Sequence, residues 1–231
     1  MRKLVIFLGV LLVLVVGADV AGRAIAEARA SEAIAGRTGI PAPSVDIHGF
    51  SFLVQAIPGR YTNISLASSD VTAGPITGIA ATIELYDVDF PLGDAIRGET
   101  SNLTASSATV NGVIPDSALT SAIGRAGTTV SAGPDGTIRL FTTVPVQGRS
   151  VSVTADLVAS YDSGVLHLDA TGLTAGGLPI PDVSQLTKQL SLELPLKDLP
   201  FTVEAANLRA YGTDLILTAT ANDVRIGSAV G

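Results

Sequence analysis

The sequence predicts an α+β fold, mostly antiparallel β, entered through an N-terminal helix. Three observations carry this. From Ser44 onward, apolar and polar residues alternate in runs bounded by Gly, Asp, Asn and Pro, the period-two pattern of half-buried strands. Residues 19–37 are Ala-rich and free of proline, as a helix requires. Two Pro-Asp steps, Pro115-Asp116 and Pro181-Asp182, each precede a short stretch of helical spacing, where Pro and Asp act as helix-start signals.

Arg2 and Lys3 precede an apolar run from Leu4 to Ala18, the pattern of an export segment. As a helix this run spans about 22 Å, short of the ~30 Å hydrocarbon core of a bilayer. Val16-Gly17-Ala18 offers the small residues of a cleavage site, yet apolar character resumes at Val20, Ala21, Ala24 and Ile25. A cleaved signal and a retained anchor both remain open. Either way, basic residues ahead of the run place the remainder of the chain outside the cytoplasm. The expected organisation is a signal or anchor segment over 1–18, a helical segment over 19–40 and a β-rich domain over 41–231. Arg23 and Glu27 form an i,i+4 pair in the helical segment. Gly36, Gly39, Pro41 and Pro43 stop it. The helix reads equally as a spacer or as a piece packed into the fold.

The clearest strand signal is Val151, Val153, Ala155, Leu157 and Ala159, interleaved with Ser152, Thr154, Asp156, Val158 and Ser160. Asp162-Ser163-Gly164 makes a turn, and Leu166, Leu168 and Ala170 continue on the return strand. Ile79, Ala81, Ile83 and Leu85 form a second alternating set. Ile138, Leu140 and Val144 follow a Pro134-Asp135-Gly136 turn, and Leu215, Leu217, Ala219 and Ala221 close the chain. Leu119, Ala122, Ile123 and Ala126 share a face of the first short helix; Val183, Leu186 and Leu190 share a face of the second. One-faced alternation gives the sheet an apolar side. It does not say whether that side meets a packed core or a ligand cavity.

Composition narrows the function. The 231 residues include neither cysteine nor tryptophan, which excludes disulfides, thiol catalysis and Cys-ligated zinc. The net charge is −7, against nucleic acid as a partner, since that affinity rests on Lys and Arg neutralising phosphates. It equally disfavours broad adhesion to anionic headgroups. Charged residues are only 15% while hydrophobics reach 47% with 4% aromatics, so the apolar mass is aliphatic. If lipid is bound, acyl chains supply most of the affinity. Burial gives ~0.8 kcal/mol per methylene, so about ten give ~8 kcal/mol before ordering costs.

Catalytic patterns are weak. Gly49-Phe50-Ser51-Phe52-Leu53 lacks the second glycine of a nucleophile elbow and reads as a bent apolar segment. His48 and His167 alternate with apolar residues and read as surface histidines. Gly93-Asp94-Ala95-Ile96-Arg97-Gly98 has P-loop glycine spacing, but Glu99-Thr100 replaces the Lys-Ser/Thr. Asp87 and Asp89 flank Val88 on one strand; a carboxylate pair could serve glycoside hydrolysis or bind calcium, but with no further acidic cluster nearby it reads more simply as an exposed strand end. Asn63-Ile64-Ser65 and Asn102-Leu103-Thr104 match the glycosylation sequon, which carries no meaning in a bacterial host. No cofactor is expected.

Three stretches together resemble the actinobacterial LmeA-type family of phospholipid-binding envelope proteins, linked to lipomannan elongation. The first is His48-Gly49-Phe50-Ser51-Phe52-Leu53-Val54-Gln55 followed by Gly59-Arg60-Tyr61. The second runs from Val88-Asp89-Phe90-Pro91-Leu92 to Gly98. The third runs from Ser191 through Leu194-Pro195-Leu196-Lys197-Asp198-Leu199-Pro200-Phe201 to Val224-Arg225-Ile226. The resemblance implies an elongated, curved antiparallel sheet wrapped around a helix, similar to one half of the tubular domains of bactericidal/permeability-increasing protein. It implies a phospholipid or glycolipid ligand held by its acyl chains in an apolar groove, and no catalytic residues. The implied setting is the periplasmic side of the cytoplasmic membrane, with envelope glycosyltransferases as further partners. Phe50, Phe52, Leu53 and Ile57 are expected at the groove mouth or dipping into the bilayer, the alternative being a core plug. Ile83, Leu85, Leu140, Val153, Leu157, Leu166, Leu168 and Leu217 are expected along the groove. The competing readings are a scaffolding module with a filled core, and an enzyme on mannolipids using Asp87 and Asp89.

Overall fold

The computed structural model describes residues 2–38, 41–73, 75–97, 99, 101–146, 149–175, 178–179, 187, 190–195 and 203–225. In chain order the elements are α1 (Arg2–Thr38), β1 (Ser44–His48), α2 (Phe52–Ala56), β2 (Arg60–Ala73), β3 (Ile76–Asp89), α3 (Leu92–Arg97), β4 (Thr104–Pro115) and α4 (Asp116–Ile123). Then come β5 (Thr129–Ala132), β6 (Ile138–Val146), β7 (Arg149–Asp162), β8 (Val165–Ala175), β9 (Leu178–Pro179), β10 (Leu192–Pro195), β11 (Ala205–Tyr211) and β12 (Asp214–Arg225). One sheet has the order β1-β2-β3-β4-β12-β11; the other has β10-β8-β7-β6-β5, with β9 on β8. Both are antiparallel and open rather than closed, so the α+β, mostly antiparallel expectation holds. The helix expected after Pro181 lies outside the described residues except at Thr187 and Leu190.

By contact density the chain forms two compact units. Residues 1–68, 83–108 and 222–231 make the first, and residues 69–82 and 109–221 the second.

The second unit shows how alternation becomes a core. β7 and β8 pair from Asp162↔Val165 outward, leaving Ser163 and Gly164 as a two-residue turn with φ of 50° and 84°. Positive φ at both positions is what a type I′ hairpin requires. Val153, Ala155 and Leu157 on β7, with Leu166, Leu168 and Ala170 on β8, are all at most 4% exposed. They join Leu140 of β6 and Leu215 and Leu217 of the C-terminal strand in one cluster, with Leu119 of α4 at 0% exposure. α4 begins directly after Pro115 and ends at Gly124, whose φ of 61° is the left-handed stop. Two buried polar groups inside this unit satisfy each other, Thr128 and Thr142 bonding hydroxyl to hydroxyl at 2.7 Å.

Long strands keep one face apolar by using bulges. Within the described strands, Gly78, Asp87, Gly172 and Asp223 have φ between 47° and 74°. Each is the third residue of an in-out-out-in burial pattern: Ile76-Thr77-Gly78-Ile79, Leu85-Tyr86-Asp87-Val88, Ala170-Thr171-Gly172-Leu173 and Ala221-Asn222-Asp223-Val224. Strict alternation would turn Asp87 and Asp223 inward after Leu85 and Ala221. The extra residue resets the phase, so Val88 and Val224 go in instead. Opposite Gly172 the register confirms the insertion: Thr154 pairs with Thr174, but Asp156 pairs with Thr171. A left-handed residue at such a bulge favours Gly and tolerates Asp, and the strand bends there.

Candidate functional site

The first unit is built on α1. Beyond Ala18 this helix presents two parallel columns to the rest of the unit. Gly22, Ala26, Ala30 and Ile34 form a mostly small column, each partly buried. Small side chains let the helix approach closely: a Cβ at Gly22 would lie 3.3 Å from the Phe52 ring. Asp19, Arg23, Glu27 and Ser31 form a polar column, four residues apart, and each makes a hydrogen bond to residues 43–53. Glu27 Oε1 accepts from the Ile47 N–H at 2.8 Å, Ser31 Oγ donates to the Pro43 carbonyl at 2.6 Å, and Arg23 Nη2 donates to the Gly49 carbonyl at 2.9 Å. β1 is the edge strand of its sheet, so these side chains occupy backbone groups that an edge leaves open. The helix is a packed piece of the fold rather than a spacer.

Asp19 ends the column at α2. Its Oδ1 accepts from the Leu53 N–H and from the Ser51 hydroxyl, both at 2.7 Å. The Leu53 N–H is one of the donors that the first turn of α2 cannot satisfy internally. That backbone hydrogen bond first, and the Ser51 hydroxyl second, hold the Asp19 carboxyl below its ordinary value. A lowered folded value means the contribution to stability is fully present at neutral pH and lost as pH falls through the carboxylate range and below it, under about 3.9. The unfolding midpoints of the native chain and Asp19→Asn should therefore differ at pH 7, and the difference should shrink progressively as pH falls below about 3.9. A separation that does not change across that fall would remove Asp19 as the cause.

α2 has two faces. Phe52 and Ala56 point inward, 7% and 2% exposed, with Phe52 6.5 Å from the Tyr61 ring. Val54 points outward at 71% exposure, and so do Phe50 and Ile57 just before and after the helix, at 103% and 75%. Leu53 is half-buried. α3 adjoins α2: the Phe90 N–H donates to the Gly59 carbonyl at 2.7 Å. α3 reverses the usual arrangement of a surface helix. Its Asp94 is buried, accepting from Arg97 and from Asn102 Nδ2, while Leu92 and Ile96 face out.

The expected site residues therefore divide. Phe50 and Ile57 are exposed beside the partly covered Leu53 and the buried Phe52. Ile83 is half-buried and Leu85 is buried at 3%. Leu140, Val153, Leu157, Leu166, Leu168 and Leu217 are brought together in the core of the second unit, at 0–7% exposure. A hydrocarbon chain reaching these six must separate side chains that here touch one another. Reading by alternation missed Ile64 and Leu66, which β1–β2 pairing sets opposite Ile47 and Val45. Unlike those partners, Ile64 and Leu66 are only half-buried. Their run, Asn63-Ile64-Ser65-Leu66, carries the same period-two signal as the other strands.

Chemistry on the polar faces is sparse. Asp87 occupies a bulge, and Asp89 pairs with the exposed Arg60 at 3.4 Å. Both aspartates thus have structural explanations. His48 Nε2 meets Ser65 Oγ at 2.8 Å on the exposed face of β1 and β2, and Asp46 there accepts from Ser44. His167 Nδ1 lies 3.7 Å from Glu193. Among the described residues there is no group of three or more metal-ligating side chains, and no helix long and apolar enough to cross a membrane.

Open antiparallel sheets with aliphatic faces form both units, and in the first unit α2 and α3 turn large apolar side chains outward. A family model described as LmeA-like phospholipid-binding matches residues 17–220, and the chain belongs to that family. The match begins two residues before Asp19 and so takes in the docked part of α1 with both units. No curated protein and no solved structure matches the chain.

Proposed function

We propose that this protein binds phospholipid or a related glycolipid in the cell envelope, sheltering acyl chains against its aliphatic sheet faces, in support of lipomannan-type lipid assembly or lipid transfer. The family match over residues 17–220 is the observation that carries the reading. In this reading the chain is exported, and Leu4–Ala18 holds it at the outer face of the cytoplasmic membrane or is removed after export. The half-buried aliphatics Leu53, Ile64, Leu66 and Ile83 are the surface an acyl chain meets first. The Leu140–Leu217 cluster is reached only if its layers part. Envelope glycosyltransferases are the enzymes such a lipid carrier would serve.

Native mass spectrometry of protein purified from its own envelope tests this. The expected spectrum shows the chain with one or two phospholipid masses that survive activation sufficient to strip detergent. A clean apo mass would reject lipid carriage. The dense packing of the six core aliphatics favours a second reading, a scaffold with a filled core, and an apo mass with a co-purified glycosyltransferase would establish it.

A further inference from the structure

We propose that the outward faces of α2 and α3 form a second membrane contact, seated at the headgroup–acyl boundary of the bilayer that the N-terminal helix enters. The inference rests on reading Leu4–Ala18 as a retained anchor. Scattered exposed apolar residues are ordinary on any protein. Here Val54 on α2, Phe50 and Ile57 just before and after it, and Leu92 and Ile96 on α3 belong to two short helices tied together at Gly59 and Phe90.

α3 makes the strongest case. Water-facing helices bury their aliphatics and expose their acids, but α3 does the opposite. Asp94 is turned inward at 7% exposure and held there by Arg97 and Asn102. Ile96 is 77% exposed. A built polar network thus maintains an apolar outer face, an arrangement suited to a surrounding that is not water.

The position of α1 identifies that surrounding. Leu12, Val13, Leu14, Val15 and Val16 are each more than half exposed, around the whole helix circumference. One partner protein covers one side of a helix, whereas a bilayer surrounds it. The first carboxylate after this run, Asp19, bonds directly to Ser51 and Leu53. The apolar helix and the apolar face of α2 are thereby joined within a turn of one another. Asp19 fixes the depth at which α2 and α3 meet the lipid.

The chain has no tryptophan, so single reporters can be introduced cleanly. Full-length Phe50→Trp, Ile96→Trp and Ala33→Trp would be reconstituted in phosphatidylcholine–phosphatidylglycerol vesicles, with and without lipid brominated near the top of the acyl chain. Ala33 is exposed and lies about 21 Å along α1 from Asp19 at 1.5 Å per residue. The expected result is blue-shifted emission and at least twofold quenching at positions 50 and 96, with Ala33→Trp unchanged. Equal, unquenched emission at all three positions in protein that floats with the vesicles would overturn the second contact alone. Protein that fails to float would overturn it together with the anchor. Bound phospholipid in native mass spectra would leave the proposed function standing in either case.

Discussion

Replacing Leu168 by alanine will lower the unfolding free energy by about 2–5 kcal/mol, the range for a fully enclosed leucine that leaves a cavity. Leu168 is 0% exposed and sits on β8 between two neighbours, paired with Ala159 of β7 and Leu192 of β10. A central strand held on both sides collapses little around a missing side chain. For a chain of this size each kcal/mol shifts the midpoint by roughly 2–4 °C, so thermal unfolding will show a loss on the order of 5–15 °C. The experiment also separates two roles for this residue. A leucine lining an already hollow groove would lose little packing when truncated, and a shift under about 2 °C would place Leu168 there instead.

Replacing Gly59 by alanine will damage the first unit by a different route. Gly59 has φ of +71°, and an added Cβ would lie 2.8 Å from the Phe90 carbonyl oxygen and 2.9 Å from Pro91 Cα. Both neighbours are backbone, so neither can swing aside as a long side chain would. The left-handed conformation alone costs about 1–3 kcal/mol for a residue with a Cβ, and the collision adds to it. The hydrogen bond from the Phe90 N–H to the Gly59 carbonyl holds α2 beside α3, so that junction is where the strain must be released. Hydrogen exchange should quicken at Phe90 and at the backbone donors of α3 before it changes in β7 and β8. Uniform protection in the variant would show that the junction absorbs a methyl group without opening.

Much of this architecture is legible in the chain because strands of this length repeat a simple code. Val151–Ala159 and Leu166–Ala170 announce their hairpin, and the left-handed Ser163 and Gly164 close it. Pro115-Asp116 marks the start of α4 within a residue. The bulges are hidden because each breaks the alternation that reveals strands. Asp87 therefore reads as half of a carboxylate pair, when its backbone conformation explains its place. α2 and α3 are hidden because five and six residues are too few for a helical period. The polar column of α1 is only half visible. Arg23 and Glu27 read as partners of one another, but their bonds run to Gly49 and Ile47, at separations of 26 and 20 residues. Of the site, sequence alone identifies the aliphatics by type. It does not tell enclosed from accessible ones, because Leu168 and Ile83 occupy equivalent places in their alternating runs and differ only in what tertiary packing lays over them.

The phase resets at Gly78, Asp87, Gly172 and Asp223 bear on how this chain can vary in length. Dropping a residue from a regular run exchanges inside for outside along the remainder of the strand, and the core is lost. Dropping Asp87 would restore plain alternation from Leu85 to Val88, with the same aliphatics still turned inward and only the bend removed. Relatives can therefore lose one residue at any of these four points while keeping the same aliphatics turned inward, and each loss removes a local bend from its strand.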